Sequence, residues 1–296
     1  MKSFPASASR TANISFLLCF LAFAGRRLRR TPLTRVPLLD RIHARLSLSL
    51  HNSNEAIVGP FHLRFDPRDR LIAKRLVLYG KYEEREIEVL CSLVKYGDYV
   101  LDVGANIGLH TMYLSRAVGP QGRVIAVEPD PDNLALLKAN IEANKCENVI
   151  ILPCAFGEAT GHVDLFQVED NRGHLSLADL GETGQSVSVP MQRGEEALEQ
   201  LGLQPTVAKI DVEGAEPLVV SGLGRHKPNI LIFEFAPQHI RALGRDPKAF
   251  LDSLVTDGYG LELMDPDTGE RSRATPSSIM PLPDGLNVIL NVLATR

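Results

Sequence analysis

Between Glu84 and Lys95 the apolar residues Ile87, Leu90, Cys91 and Val94 recur at i, i+3, i+4 and i+7, which predicts an amphipathic helix. Tyr96-Gly97 ends it, glycine being suited to the left-handed position after a helix. From there short apolar strands and helices alternate. Strands are predicted at 99–103, 124–127, 149–152, 206–212 and 229–235. Helices are predicted at 106–117, 131–144 and from Ala215 to near Gly222, with a further one opened by the cap Asp246 and by Pro247. Strands at 261–264 and 287–293 have only a turn-rich loop between them and read as an antiparallel pair at one edge. The pieces 162–167 and 187–191 flank a polar stretch, 168–186, and read as an inserted hairpin or loop at about 160–192 that grips substrate. Before residue 81, Pro32, Pro37, Pro60 and Pro67 break any long helix. The alternation predicts an α/β, Rossmann-like fold: a mostly parallel sheet with helices on both faces. The expected organisation is an extension over 1–39, poorly ordered, a lead-in over 40–80 and one main domain over 81–296.

Charge changes the picture at the N-terminus. The 296 residues carry 32 Lys+Arg and 36 Asp+Glu, a formal −4 at pH 7. Lys2, Arg10, Arg26, Arg27, Arg29, Arg30 and Arg35 give residues 1–39 seven positive charges and no acid, leaving 25 basic and 36 acidic residues in the remainder. The main domain is therefore acidic and has no basic stripe for a phosphate backbone, so nucleic acid is not the expected substrate. The apolar run 14–24 is too short to cross a bilayer as a helix. It admits three readings: a poorly folded extension, a peripheral membrane anchor flanked by the basic 26–30, and a cleaved export signal. A cytoplasmic protein is expected, with membrane association through residues 14–30 as the alternative. Cys19, Cys91, Cys146 and Cys154 show no CxxC spacing and no nearby histidine cluster. That argues against zinc and gives no support for a disulfide framework, and no metal site is expected.

The chemistry concentrates in the stretch from Val100 to Gly108. An apolar strand ends in Asp102, and Gly104 and Gly108 bracket a tight turn through Ala105 and Asn106 into a helix. Glycine suits a place where backbone approaches a ligand, and the helix start adds free N–H groups. A dinucleotide enzyme spaces its glycines GxGxxG; here Asn106 makes the spacing GxxxG, and Asp102 repels phosphate. Glu128 ends the second strand, where a carboxylate accepts both hydroxyls of a ribose. Ribose plus ammonium without pyrophosphate describes S-adenosylmethionine. The bland alternative for Asp102 and Glu128 is helix capping or a solvated strand end.

Asp-Val-Gly-Ala-Asn-Ile-Gly at 102–108, Val-Glu-Pro at 127–129 and above all Lys-Ile-Asp-Val-Glu-Gly-Ala-Glu at 209–216 resemble the FkbM-type S-adenosylmethionine-dependent methyltransferases. The resemblance covers roughly 78–236 and includes Tyr82-Glu83, Asn140, Asn144, Ala155, Asn171, Gly173 and Phe233-Glu234. It departs at 190–194, where Pro-Met-Gln-Arg-Gly stands in place of a Thr-Leu-Asp step. It implies the class I methyltransferase fold, S-adenosyl-L-methionine as cofactor, and methyl transfer to a hydroxyl oxygen of a small molecule or glycan.

Roles follow from these positions. Asp102, Gly104, Ala105, Asn106, Gly108, His110, Glu128, Pro129 and Ala155 are the expected cofactor site. Asp211 or Glu213 is the expected proton acceptor, with Lys209 beside Asp211 and Glu216 a weaker candidate. Asn171, His174 and Glu234 are the expected acceptor contacts. Against these stand bland roles: a turn hydrogen bond for Glu213, a helix-start contact for Glu216, an ordinary polar position for His110. Two rival functions remain at this level, a non-catalytic cofactor-binding module and an NAD-dependent oxidoreductase.

Overall fold

A computed structural model of the chain describes residues 54–69, 75–76, 82–168, 171–177, 186–280 and 289–296, with the side chains of 167–168 and 171–176 excepted. The expectations for 1–39, its apolar run and basic flank included, lie outside the described residues. So do 40–53, most of 70–81 and part of 168–186.

In chain order the strands are β1 (Glu55–Val58), β2 (Phe61–Arg64), β3 (Tyr99–Val103), β4 (Arg123–Val127), β5 (Val149–Leu152), β6 (Ala155–Gly157) and β7 (Gly161–Val168). They continue as β8 (Asn171–Ser176), β9 (Ser186–Arg193), β10 (Val207–Ile210), β11 (Ile230–Phe235), β12 (Gly260–Met264), β13 (Arg271–Ala274) and β14 (Leu290–Thr295). The helices are α1 (Glu84–Leu93), α2 (Leu109–Val118), α3 (Pro131–Ala143), α4 (Gly194–Leu201), α5 (Glu216–Gly222), α6 (Pro237–Ala242), α7 (Pro247–Thr256) and α8 (Pro276–Ile279).

Eight strands form the main sheet in the order β13-β12-β14-β11-β10-β3-β4-β5. The run from β11 to β5 is parallel. Its central strands are largely apolar, Asp102 of β3 and Lys209 of β10 excepted, because helices cover both faces. Val100, Leu101, Val124, Ile125, Ala208 and Leu231 are all fully buried. One face packs against Phe250, Leu251 and Leu254 of α7, the other against Leu114 and Val118 of α2. Parallel alignment brings the C-terminal ends of five consecutive strands to one edge, where open α/β sheets bind ligands.

Two features differ from the sequence expectation. The last two predicted strands, β12 and β14, do pair antiparallel, but β14 inserts between β12 and β11, and β13 forms the edge. The insert is a sheet of its own, ordered β6-β9-β7-β8, with β7 and β9 antiparallel. The 190–194 departure therefore falls on β9, where Pro190 pairs with His162, and on the start of α4.

The lead-in also contains an ordered piece, the β1–β2 hairpin. Asn140 of α3 accepts from the Arg64 N–H at 2.7 Å and donates to the Arg64 carbonyl at 2.9 Å and to that of Ile107 at 2.7 Å. Asn144, one turn on, does the same for both backbone groups of His62. The two amides thus satisfy the open edge of β2, which would otherwise be an unpaired ladder. Among the described residues no helix is long and apolar enough to cross a membrane.

Candidate active site

A cleft opens along the ends of β11, β10, β3, β4 and β5. It encloses about 860 Å³ of empty space, open solvent at its mouth included. Its walls differ in character. Pro129, Cys154, Ala155, Phe156, Leu165 and Leu177 are largely apolar, whereas Glu83, Asp211, Glu213 and Glu234 crowd the side beyond Gly104.

Backbone strain concentrates here. Among the described residues four non-glycines have positive φ, and three of them, Glu83, Asn106 and Glu213, line the cleft. Such conformations persist only where their surroundings hold them, and they cluster at functional sites.

Glu128 sits at the end of β4, 4 % exposed. Its Oε2 accepts from the Asn106 N–H at 2.7 Å and its Oε1 from the Asp130 N–H at 2.9 Å. Burial pushes its carboxyl up to about 7, while those two N–H groups pull the other way. Asp130 also caps α3 by accepting from the Asn133 N–H, which fixes the turn that carries Glu128.

At the other side, oxygens of Asp211, Glu213 and Glu234 all lie within 4.8 Å of one another. Glu234 is pushed up to about 10, first by the charge of Asp211, then by burial and by Glu213. Lys209 donates to Asp211 Oδ2 at 2.9 Å; its own side chain is 3 % exposed, against 29 % for that of Asp211. Burial alone would lower the Lys209 pKa, yet Asp211, Asp102, Glu86 and Glu83 together raise it above its ordinary value. Glu213 Oε2 lies 3.5 Å from His239 Nδ1.

The structure thus brings together Gly104, Asn106, Glu128, Pro129, Ala155, Asp211, Glu213 and Glu234 of the expected site residues. Others fall outside the cleft wall. Asp102 is fully buried beneath the glycine turn, where one carboxylate oxygen accepts from Thr111 Oγ1 at 2.6 Å and the other has no hydrogen-bond partner. It is not among the residues that line the cleft, and it faces the Lys209 network. Ala105, Gly108, His110 and Lys209 are likewise outside the wall. A side chain on Gly104 would collide with the Asp211 carbonyl, and one on Gly108 with Leu137, so both glycines serve close packing of the chain itself. Glu216 is a turn residue: its Oε1 accepts from the N–H groups of Val212 and Gly214 at 3.2 and 3.1 Å. Asn171 and His174 belong to β8, whose side chains lie outside the described residues.

Sequence reasoning gave no role to Tyr82, Asn133, Cys154, Phe156, Leu165 or Leu177, which also line the cleft. Tyr82 and Glu83 precede α1, about twenty residues upstream of the glycine turn, and only the pairing of α1 with α2 returns them to the site. The described cysteines are free thiols, and burial pushes that of Cys154 up to about 11.

A family model described as the methyltransferase FkbM domain matches residues 102–260, more than half of the chain. The chain belongs to the FkbM methyltransferase family, whose methyl donor is S-adenosylmethionine. It is 28 % identical over 167 residues to the hexuronic acid methyltransferase AglP of Haloferax volcanii, covering 56 % of this chain and 65 % of that protein. It is 32 % identical over 98 residues to a probable cobalt-precorrin-6B C(15)-methyltransferase of Sulfurisphaera tokodaii, covering 33 % of this chain and 51 % of that one. The chain spans about half to two thirds of the length of these curated relatives. Among solved structures it is similar to the O-methyltransferase from Bacillus cereus in complex with SAH, at TM-score 0.44 and 10 % identity, covering 77 % of this chain and 88 % of that one.

The residues present fit S-adenosylmethionine. A carboxylate has roughly four lone-pair sites, and Glu128 spends two of them on backbone N–H groups and another on the Asn133 side chain, which leaves an acceptor for a ribose hydroxyl at the cleft wall. The apolar wall suits an adenine ring, and the acidic side suits a cation. No lysine or arginine lines the cleft among the described residues.

Proposed function

We propose that the chain transfers a methyl group from S-adenosylmethionine to a hydroxyl oxygen of a small molecule or glycan. One observation carries this reading: a single cleft holds a strand-end carboxylate suited to ribose, Glu128, and an accessible carboxylate suited to a hydroxyl proton, Asp211. When bound, S-adenosylmethionine supplies an electrophilic methyl group. Glu128 would accept from the ribose, and the apolar wall from Pro129 to Leu177 would hold the adenine ring. Asp211 accepts the hydrogen bond of the acceptor hydroxyl and takes its proton, because a neutral alcohol is a weak nucleophile. Lys209 touches no ligand; it is a positioning residue that fixes the Asp211 carboxylate. Glu213 offers a second acceptor oxygen, and Glu234, held well above the usual carboxylate range by the charge of Asp211, completes the trio.

The relative named as a hexuronic acid methyltransferase supports a sugar acceptor. The acidic cleft supports an acceptor other than nucleic acid. The 190–194 departure lies on β9 and α4; Met191 and Gln192 pair with Ala155 and Phe156 of the apolar wall, and the carboxylate trio stands on other elements.

The test is transfer of labelled methyl from S-adenosylmethionine into hydroxyl-bearing compounds of a cell extract, with products resolved by mass spectrometry. A methyl ether is expected. Label on carbon or nitrogen, or none in any product, would overturn the reading.

A further inference from the structure

Behind the cleft, Glu83 and Glu86 at the start of α1 face His110 in the first turn of α2. His110 is 8 % exposed, and its Nε2 has no hydrogen-bond partner. That atom points at both carboxylates, 3.5 Å from Glu86 Oε1 and 3.7 Å from Glu83 Oε2. Hydrogen bonds of this kind span about 2.7–3.2 Å, so neither contact is one. Donor atoms on a tetrahedral ion with bonds of about 2.0–2.2 Å lie about 3.3–3.6 Å apart, close to the separations seen here. The two carboxylate oxygens and the nitrogen all fall within 4.8 Å of one another.

Charge points the same way. Two cations, Lys209 and Arg75, answer four carboxylates, Asp211, Asp102, Glu86 and Glu83. A buried excess of negative charge is costly unless paired or coordinated to a cation.

We propose that Glu83, Glu86 and His110 bind one divalent transition-metal ion. A set of one imidazole and two carboxylates suits zinc or manganese better than magnesium or calcium, which favour oxygen alone. Three protein ligands leave a further position, and Glu83, which also lines the cleft, places the ion at the back of the proposed site. The site ties the segment before α1 to α2, and it stands whether or not the chain transfers methyl groups. The sequence shows no such site because its ligands come from residues 24 and 27 positions apart, with no spacing that a metal motif uses.

The full chain, stripped with a chelator and dialysed against Zn²⁺, is expected to retain one equivalent by elemental analysis. Glu86→Gln and His110→Gln should each weaken retention by more than ~10-fold, since even outer-shell changes cost about that much. Glu234→Gln should retain the ion. Loading with Co²⁺ should give the intense visible band of a four- or five-coordinate ion in the unsubstituted chain, a readout that survives any folding defect of the variants. Absence of zinc retention, a Co²⁺ spectrum like that of the aquated ion, or loss of the ion in Glu234→Gln with retention in His110→Gln would each overturn the proposal.

Discussion

Lys209 Nζ and Asp211 Oδ2 lie 2.9 Å apart across two residues at the end of β10, one side chain sealed under the sheet edge and the other open to the cleft. The pair converts a buried positive charge into a fixed, accessible carboxylate. It also explains why lysine stands in a strand that is otherwise Val, Ala and Ile.

Removing that cation strands its partners. Lys209→Met leaves Asp211 and Asp102 without it, and breaking a buried charge pair costs about 3–5 kcal/mol. Urea denaturation should show a loss of that order. A loss under ~1 kcal/mol would mean the network is neutral without the lysine.

Asn140→Ala removes three hydrogen bonds that join α3 to β2 and to the glycine turn. The expected cost is about 2–4 kcal/mol, with faster amide exchange at Arg64, whose N–H loses its acceptor. Unchanged protection at that amide would contradict the pinning role.

Stability should depend on pH through Glu216. Burial pushes this carboxyl from 4.5 up to about 8, against the pull of the backbone N–H groups of Gly214 and Val212. A folded-state pKa above the unfolded one contributes stability that is fully present below 4.5 and is lost as pH rises toward 8. Glu216→Gln, which keeps the accepting oxygen, should flatten the stability profile across that window. An identical slope in denaturation series of both proteins would remove Glu216 as its source.

Much of the sheet was legible because its central strands are short, apolar and bounded by turns. The predicted 99–103 and 149–152 coincide with β3 and β5, and Asp246-Pro247 opens α7 as its cap chemistry requires. The insert was less legible: β8 carries Asn, Arg, Gly and His, with no alternation to betray a strand. The place of β14 between β11 and β12 depends on long-range pairing, which local pattern does not encode. In the site, strand-end carboxylates could be read because parallel strands deliver their C-terminal ends to one edge. The depth of Asp102 could not: it precedes the glycine turn in sequence, yet its side chain meets Thr111 and the Lys209 network beneath the turn.

Cofactor affinity should rise with pH. A ribose hydroxyl donates to the ionised form of Glu128, whose carboxyl burial pushes up to about 7 in the free protein. Binding favours the deprotonated state, so affinity is lost as pH falls through that value and is full above it. Calorimetry in buffers from about pH 6 to about pH 8 should show tightening with proton release. Glu128→Gln should bind weakly and without that dependence; a parallel trend in the variant would assign the proton to another group.

Titration of S-adenosylhomocysteine into the full chain and into Glu128→Ala and Asp211→Asn puts the whole cleft to the test. Saturable binding is expected for the unsubstituted chain, weakened by ~2–4 kcal/mol in Glu128→Ala through loss of charged hydrogen bonds, and nearly unchanged in Asp211→Asn. Absence of binding to the unsubstituted chain, or equal affinity in Glu128→Ala, would contradict the account.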